Sequence, residues 1–430
     1  MDMLLLPLLL EAMCRSPGSD SYECAASRNS TLAHVSSQSI TALTQLRVGL
    51  VQINPTLGDI DGNLALIKKY LKHGQEAGVH LLLFPEMIVT GYPVEDLAHR
   101  QTLQLRSARA VEELAIDLQK EGLGEIALVL GYLDTPSSSM AEGFSGPSGR
   151  PRNAAAILHR GQVRGKYFKR HLPNYGVFDE YRNFNPGSGT LVFRHGAVDV
   201  AVVICEDIWQ ESGLMEEVAS RNPGLLAVIN GSPFEKAKDD KRFALIQRRA
   251  IQVGAPLCYV NMIGGQDDLV FDGDSIVVDA AGQLIARAPQ FEEGLMFVDL
   301  DCKANSSTPD LILTDGAIPP YPKSVPGVAV ALSEEAELWS ALVMGLRDYV
   351  KKNGFSSVVI GLSGGIDSAL VAAIAVDALG AENVHGVSLP SRYSSDHSLG
   401  DAKALAINLN IAYQVIPIQP MVDAFLNQQS

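Results

Sequence analysis

Cysteine is scarce and unpatterned. The five residues, Cys14, Cys24, Cys205, Cys258 and Cys302, form an odd set without C-x-x-C spacing. Neither a disulfide scaffold nor a zinc framework is expected, and a reduced, cytoplasmic protein is the reading. Positive charge is also short, with 34 Lys and Arg against 49 Asp and Glu, a formal net charge of −15. Such a field repels phosphate backbones and anionic lipid, so neither nucleic acid nor membrane is an expected partner. A long apolar run is missing as well. The opening MDMLLLPLLL carries Asp2 where a signal peptide has positive charge, contains Pro7 and lacks a small-residue cleavage site, so it reads as neither signal nor membrane span.

What is present describes a globular α/β protein of more than one domain. At 430 residues the chain exceeds the roughly 250 to 300 at which one core stops growing. Residues 1–45, Ser-, Thr- and Ala-rich from Pro17, read as a disordered or extraneous extension. From Leu46 short runs rich in Val, Ile and Leu recur at Arg47, His80, Ile126, Ala197, Leu225 and Pro256. Helical periods lie between them at Gly62 to Gly78, Gln101 to Lys120, Gly213 to Arg221 and Asp239 to Val253. Nearly continuous apolar strands imply cover on both faces, and DDLVFDGDSIVVDAAGQLIARA adds antiparallel hairpins. The Ser-, Gly- and Pro-rich stretch from Asp134 to Pro151 is expected to be a long surface loop.

The pattern breaks between Lys303 and Val330, a proline-rich stretch without a period, and 303–330 is read as a linker between a domain at 46–302 and another at 331–430. Beyond it the spacing predicts helix (Glu334 to Asn353), strand (SSVVIGL), glycine-rich turn, helix (Ile366 to Leu379), strand (NVHGVSL), helix (Ser395 to Asn408) and strand (AYQVIPI). That is the first βαβαβ half of a Rossmann-like parallel sheet. A doubly wound domain usually has more strands, so a portion cut short at Ser430 is expected.

Three residues of the first domain acquire meaning together. Cys205 ends the strand AVDVAVVI at a turn into Glu206 and Asp207, a place that exposes a side chain and leaves backbone N–H groups for an oxyanion. Alone, a cysteine in an apolar run is ordinarily a buried structural thiol. Glu86 in FPE alone is a loop carboxylate, and Lys169 in YFKRHL alone is a surface lysine. As a set they supply a nucleophile, a base and a cation for a developing oxyanion. In this order and in these motifs they resemble the nitrilase, or carbon–nitrogen hydrolase, superfamily over about Leu46 to Asp301. The resemblance implies an α-β-β-α sandwich with Cys205 as nucleophile, Glu86 as base and Lys169 as oxyanion stabiliser. It also implies Glu180, in VFDE, as an auxiliary carboxylate, although a charged loop residue is the equal alternative.

Within that superfamily, LPNYGVFDE and INGSPFEKAKDDKR are similar to glutamine-dependent NAD synthetases. The resemblance assigns Tyr175, Ser232 and Lys238 to glutamine. In the second domain, Gly361, Leu362, Ser363, Gly364, Gly365, Ile366, Asp367 and Ser368 follow a strand and open a helix. Glycines there let the backbone approach phosphate, whereas a Walker A loop is excluded because no Gly-Lys-Ser/Thr follows. S-G-G-x-D-S resembles the pyrophosphatase loop of adenylating synthetases, which implies that these eight residues bind ATP and that Asp367 binds Mg2+. Ser391 to Ser395 read equally as nucleotide neighbours or as a polar loop before a helix cap.

The joint resemblance implies L-glutamine, ATP and deamido-NAD as substrates, Mg2+ with the ATP, no tightly bound organic cofactor, and a homo-oligomer. With the second domain cut short, glutamine hydrolysis is expected to outlast NAD formation. Two rivals stand beside this reading: a free-standing small-amide amidase with a vestigial C-terminal domain, and a non-catalytic interaction subunit of a full-length enzyme.

Overall fold

The computed structural model describes residues 42–135 and 150–428. Of the opening segment read as an extension, residues 1–41 lie outside the described residues, as does most of the loop after Asp134.

Alternation along the strands decides the layering. Leu46, Val48 and Leu50, Leu81 and Leu83, Ala127 and Val129, and Ala155 and Ile157 enter one core. Their neighbours Val51, Leu82, Leu128, Leu130, Ala154 and Ala156 enter another. Because successive strand side chains point to opposite faces, a strand that is apolar throughout must be covered twice. The first sheet has six strands, in the order Gly294–Lys303, Leu43–Gln52, Leu81–Leu83, Ala127–Asp134, Arg152–His159 and Gln162–Phe168. The second has seven: Leu284–Arg287, Ile276–Val278, Leu257–Asn261, Leu225–Asn230, Val198–Ile204, Leu191–His195 and Leu311–Ile312.

One core lies between the sheets. Ile60–Glu76 and Gln101–Lys120 cover the outside of the first through Ile67, Leu71, Val111 and Leu114. Leu214–Ser220 and Lys238–Val253 cover the second through Leu214, Val218, Ile246 and Ala250. This is the expected α-β-β-α sandwich.

The helix at Gln101–Lys120 matches its apolar period, and Leu43–Gln52 begins earlier than Leu46 because Leu43 pairs with Lys303. Arg152–His159, Gln162–Phe168, Leu191–His195 and Gly294–Lys303 were not marked as strands by the sequence. Gln162–Phe168 shows why: it is an edge strand whose polar Gln162, Arg164 and Lys166 face water, so its pattern carries little continuous apolar signal. Of the expected hairpins, Ile276–Val278 pairs with Leu284–Arg287, while Leu269–Asp272 pairs with Ile263–Gln266 in a separate two-stranded sheet.

The proline-rich stretch after Lys303 does not run free. Leu311–Ile312 lies parallel to Leu191–His195, Val328 bridges Arg287, and Ser324 donates to Asp299 from its backbone N at 2.7 Å and its hydroxyl at 3.0 Å. Helix Glu334–Lys352 follows, with Ser333 capping its N-terminus and lysines in its last turn. Asp348 Oδ2 accepts from Asn54 Nδ2 at 2.6 Å and from the Gly265 N–H at 2.7 Å, and Lys352 Nζ donates to the carbonyls of Pro55 and Gly265 at 2.8 and 2.9 Å. The helix is thereby seated on the Ile263–Asp272 hairpin.

Val358–Gly361, Val384–Ser388 and Ala412–Val415 then form a parallel three-stranded sheet in sequence order. Its crossovers are helices Ile366–Leu379 and Asp396–Asn408, packed through Leu362, Ala372, Ala375, Ala402 and Ala406. Among the described residues, no helix is long and apolar enough to cross a membrane.

One close approach shapes the site. Strand Ala127–Asp134 passes directly beneath the turn carrying Glu86, and a Cβ at Gly131 would lie 2.2 Å from Met87 N and 2.5 Å from Glu86 Cα. Those neighbours are backbone and cannot swing aside. Gly131→Ala should therefore cost about 2 kcal/mol or more of stability through overpacking and displace Glu86. Denaturant unfolding checks the first effect and turnover the second. A variant of wild-type stability and activity would show that the turn yields freely.

Candidate active site

The site assembles where strands end. Glu86 follows Leu81–Leu83, Lys169 follows Gln162–Phe168, Cys205 follows Val198–Ile204 and Ser232 follows Leu225–Asn230. Ligand sites in α/β folds favour such carboxyl ends, where side chains leave the sheet and backbone groups run out of ladder partners.

Lys169 is 1% exposed and Glu86 is fully buried. Lys169 Nζ lies 2.7 Å from Glu86 Oε1 and 2.8 Å from Glu180 Oε2, the second contact at ion-pair distance without hydrogen-bond alignment. Asn153 Nδ2 also donates to Glu86 Oε1 at 2.6 Å, and the Gly231 N–H donates to Oε2 at 2.8 Å. Tyr92 donates its hydroxyl to Glu180 Oε1 at 2.9 Å. Burial opposes the Lys169 charge, but Glu180, Glu86 and Cys205 outweigh it and hold the ammonium well above its usual range. Burial pushes the Glu180 carboxyl up to about 7, with Lys169 pulling it down and Glu86 adding to the rise.

Cys205 opens the short 3-10 turn Cys205–Ile208 with φ of 44°, a left-handed conformation uncommon for a residue with a side chain. Asp207 holds that turn. Its Oδ2 accepts from the Ile204 N–H at 3.0 Å and the Tyr167 hydroxyl at 2.8 Å, and its Oδ1 accepts from the backbone N–H groups of Arg170 and His171 at 3.1 and 3.0 Å. One carboxylate thus ties the cysteine turn to the segment that carries Lys169. Burial raises the Cys205 thiol well above its usual range, Glu86 adds to the rise and Lys169 opposes it.

A cavity of about 620 Å3 opens in front of the thiol, lined among others by Tyr175, Cys205, Glu206, Trp209, Ser232, Lys238 and Leu269. The three residues assigned to glutamine therefore share one cavity with the nucleophile. Tyr175 donates its hydroxyl to Glu206 Oε2 at 2.8 Å, and Lys238 Nζ donates to the Pro233 carbonyl at 3.2 Å, 5.9 Å from the Trp209 ring centre. Glu86, Lys169 and Glu180 are not in that lining, but each is near enough to Cys205 to act on its charge.

In the C-terminal sheet a second cavity of about 410 Å3 is lined by Gly361, Leu362, Ser363, Ser388, Pro390, Tyr393, Ser394, Ser395 and others. The Leu362 side chain is buried in the core, which leaves its backbone for the cavity. Gly364, Gly365, Ile366, Asp367 and Ser368 are not in the lining. Their part in it is indirect: Gly364 takes φ of 83° against the Ser398 backbone, and Ser368 Oγ meets the Ser363 N–H at 3.3 Å and the Ser363 hydroxyl at 3.1 Å. Ile366 and Asp367 are exposed at the helix start. Ser395 lines the cavity and caps the next helix by accepting from the Ser398 N–H at 3.1 Å, as the second alternative posed for it has it.

Several residues of the first site carried no sequence signal. Asn153 and Gly131 act on Glu86 across strands, and Asn261 grips Ser232. Asp207 stood beside the cysteine in the motif, but its partners Tyr167, Arg170 and His171 come from a segment far away in the chain.

The comparisons accord with this arrangement. The family model described as carbon-nitrogen hydrolase matches residues 47–310, and that described as NAD synthase matches 338–430. The glutamine-dependent NAD(+) synthetase of Thermotoga maritima is 40% identical over 89% of this chain and 67% of its own. Since that share is most of the relative's length, the comparison does not support the expectation of a synthetase portion cut short. The solved glutamine-dependent NAD+ synthetase of Acinetobacter baumannii, in complex with ADP, matches with a TM-score of 0.76 at 34% identity, over 89% of this chain and 67% of its own. A mutant amidase of Nesterenkonia sp. AN1, described with the acetamide moiety of fluoroacetamide added covalently at its active-site cysteine, matches 60% of this chain and 91% of its own, with a TM-score of 0.51 and 27% identity. Relatives that share both regions favour neither a free-standing amidase nor a non-catalytic subunit. The chain belongs to the glutamine-dependent NAD(+) synthetase family, ATP-dependent ligases that take their amido group from glutamine.

Proposed function

We propose that the chain hydrolyses L-glutamine at Cys205 and that the released ammonia amidates ATP-activated deamido-NAD. The observation that carries the reading is the buried Lys169 held between Glu86 and Glu180, close enough to act on the charge of the cysteine whose cavity Tyr175, Ser232 and Lys238 line.

A thiol with a raised pKa rests protonated, so attack requires a base at the moment of bond formation. Glu86 takes the proton as Cys205 Sγ bonds to the side-chain amide carbon of glutamine, and Lys169 faces the oxygen that gains charge. Collapse returns the proton from Glu86 to the leaving nitrogen, releasing ammonia and a γ-glutamyl thioester. Water, losing its proton to Glu86, cleaves the thioester to glutamate and restores the thiol. Lys238 suits the α-carboxylate of the substrate, and Glu206 in the same wall suits its α-ammonium.

In the second region the Gly361–Ser363 backbone receives the phosphates of ATP, the carboxylate of deamido-NAD attacks the α-phosphate as pyrophosphate leaves, and ammonia then displaces AMP to give NAD. Among the described residues no group of three or more His, Cys, Asp and Glu side chains is placed to hold a metal ion. Asp367 is a single exposed carboxylate, which fits an Mg2+ carried mainly by phosphate oxygens. When bound, such an ion neutralises developing phosphate charge. Our domain reading is 46–302 for the hydrolase, 303–330 for the connection and 331–430 for the synthetase region, in a cytoplasmic homo-oligomer.

Two experiments test the hydrolase. The purified chain should release glutamate from glutamine, and Cys205→Ala should lower that rate by roughly 10³-fold or more. Lys238→Ala should raise KM for glutamine about tenfold while leaving simple aliphatic amides untouched, since only the amino acid has an α-carboxylate to pair. Glutamine turnover that survives Cys205→Ala would overturn the reading. The second experiment is a pH profile. The Glu180 carboxyl titrates at about 7; above that pH it is ionised and shares Lys169, which leaves Glu86 freer to act as base. The kcat/KM for glutamine should rise through that pH, and Glu180→Gln should be slower and lack the limb. An unchanged limb in the variant would remove Glu180 from the mechanism.

A further inference from the structure

We propose that Asn261 is a positioning residue for glutamine hydrolysis, holding the Gly231–Ser232 turn in register for both the general base and the substrate wall, with the buried Arg242–Asp272 pair as its backstop. The inference rests on the hydrolase reading of Cys205.

Asn261 is fully buried and ends strand Leu257–Asn261, where it lies opposite Asn230, the last residue of the neighbouring parallel strand. Past this point the Gly231–Ser232 turn leaves the ladder and its backbone needs new partners. The Asn261 side chain supplies them. Its Oδ1 accepts from the Ser232 N–H at 2.9 Å, and its Nδ2 donates to the Ser232 carbonyl at 3.1 Å. The amide therefore prolongs the ladder as another peptide group would, with one donor and one acceptor facing a single residue.

The turn held in this way serves two functions at once. Its Gly231 N–H donates to Glu86 Oε2 at 2.8 Å, the oxygen not shared by Lys169 and Asn153. Its Ser232 forms part of the cavity wall beside Cys205. A shift of the turn moves a hydrogen bond on the base and a surface against the substrate together.

Behind the amide stands an ion cluster. Arg242 Nη1 and Nη2 each lie 3.0 Å from an oxygen of Asp272, and Nη1 is 3.5 Å from Asp274 Oδ2; all three residues are essentially without exposure. Asp272 Oδ1 is in turn 3.5 Å from Asn261 Nδ2, and the Asn261 backbone N–H donates to Ser275 Oγ at 3.1 Å. The fork of Arg242 is rigid, so the carboxylate behind the amide has one place to sit. Aspartate at 261 would keep the acceptor, lose the donor and confront Asp272. Alanine would lose both bonds.

The test is steady-state glutamine hydrolysis by the full chain and by Asn261→Ala and Asn261→Asp, below the melting temperature of each. Asn261→Ala should show KM raised and kcat lowered, each by about tenfold, as expected for loss of geometry on both sides of the turn. Asn261→Asp should be intermediate. If Asn261→Ala does not fold, Asn261→Asp decides on the same parameters. Wild-type turnover with variant KM and kcat both within about twofold of it, whatever the change in melting temperature, overturns the positioning role. Absence of wild-type turnover overturns the hydrolase reading instead.

Discussion

An ammonium without access to water, gripped by carboxylates at 2.7 and 2.8 Å, is the interaction on which the first site is built. Removing one partner of such a buried pair typically costs about 3–5 kcal/mol, because the other charge is left unsolvated. Glu86 lies far along the chain from Lys169 and Glu180, so the chain can satisfy the ammonium only by bringing the end of one strand to the connection that follows another. The same requirement explains the supporting cast: Tyr92 bonds Glu180, Asn153 and the Gly231 N–H bond Glu86, and Gly131 leaves room beneath it.

The electrostatics of the cluster decide how the cysteine works. Two carboxylates and one ammonium leave an excess of negative charge when all are ionised, and a thiolate beside them would add another. Burial and Glu86 accordingly hold Cys205 as a thiol at rest, with Lys169 pulling the other way. This differs from a cysteine activated in advance by a neighbouring imidazolium. In the proposed reaction, ionisation is deferred until a substrate carbonyl can take the charge, when Lys169 would meet an oxyanion instead of a bare sulfur. The left-handed turn at Cys205, pinned by Asp207 to the Lys169 segment, keeps sulfur and ammonium in one frame.

Much of the fold was legible in the chain because its strands are apolar at nearly every position, which marks sheets covered on both faces. The helix at Ile366–Leu379 keeps the bounds expected after the glycine-rich turn, and the Cys205 turn sits where strand gives way to Glu206 and Asp207. Less legible were the edge strand Gln162–Phe168, whose outward positions are polar, and the segment after Lys303, whose prolines suggest freedom although its backbone is pinned piece by piece to the sandwich. In the site, Glu86, Lys169 and Cys205 were visible because each ends a motif. Asn153, Gly131 and Asn261 were not, because they act through pairings between strands that no local pattern records. At the glycine-rich turn only the first residues of the motif reach the neighbouring cavity; Leu362 turns into the core and Ser368 braces Ser363.

The most direct measurement is intact-mass and peptide-mapping analysis of the wild-type chain, rapidly quenched in acid during turnover of glutamine. The expected result is a γ-glutamyl adduct on Cys205 that hydroxylamine removes, as it does thioesters. Continued turnover with no adduct, or with the label on Cys258 or Cys302, would contradict a reaction centred on the sulfur that Lys169 and Glu86 flank.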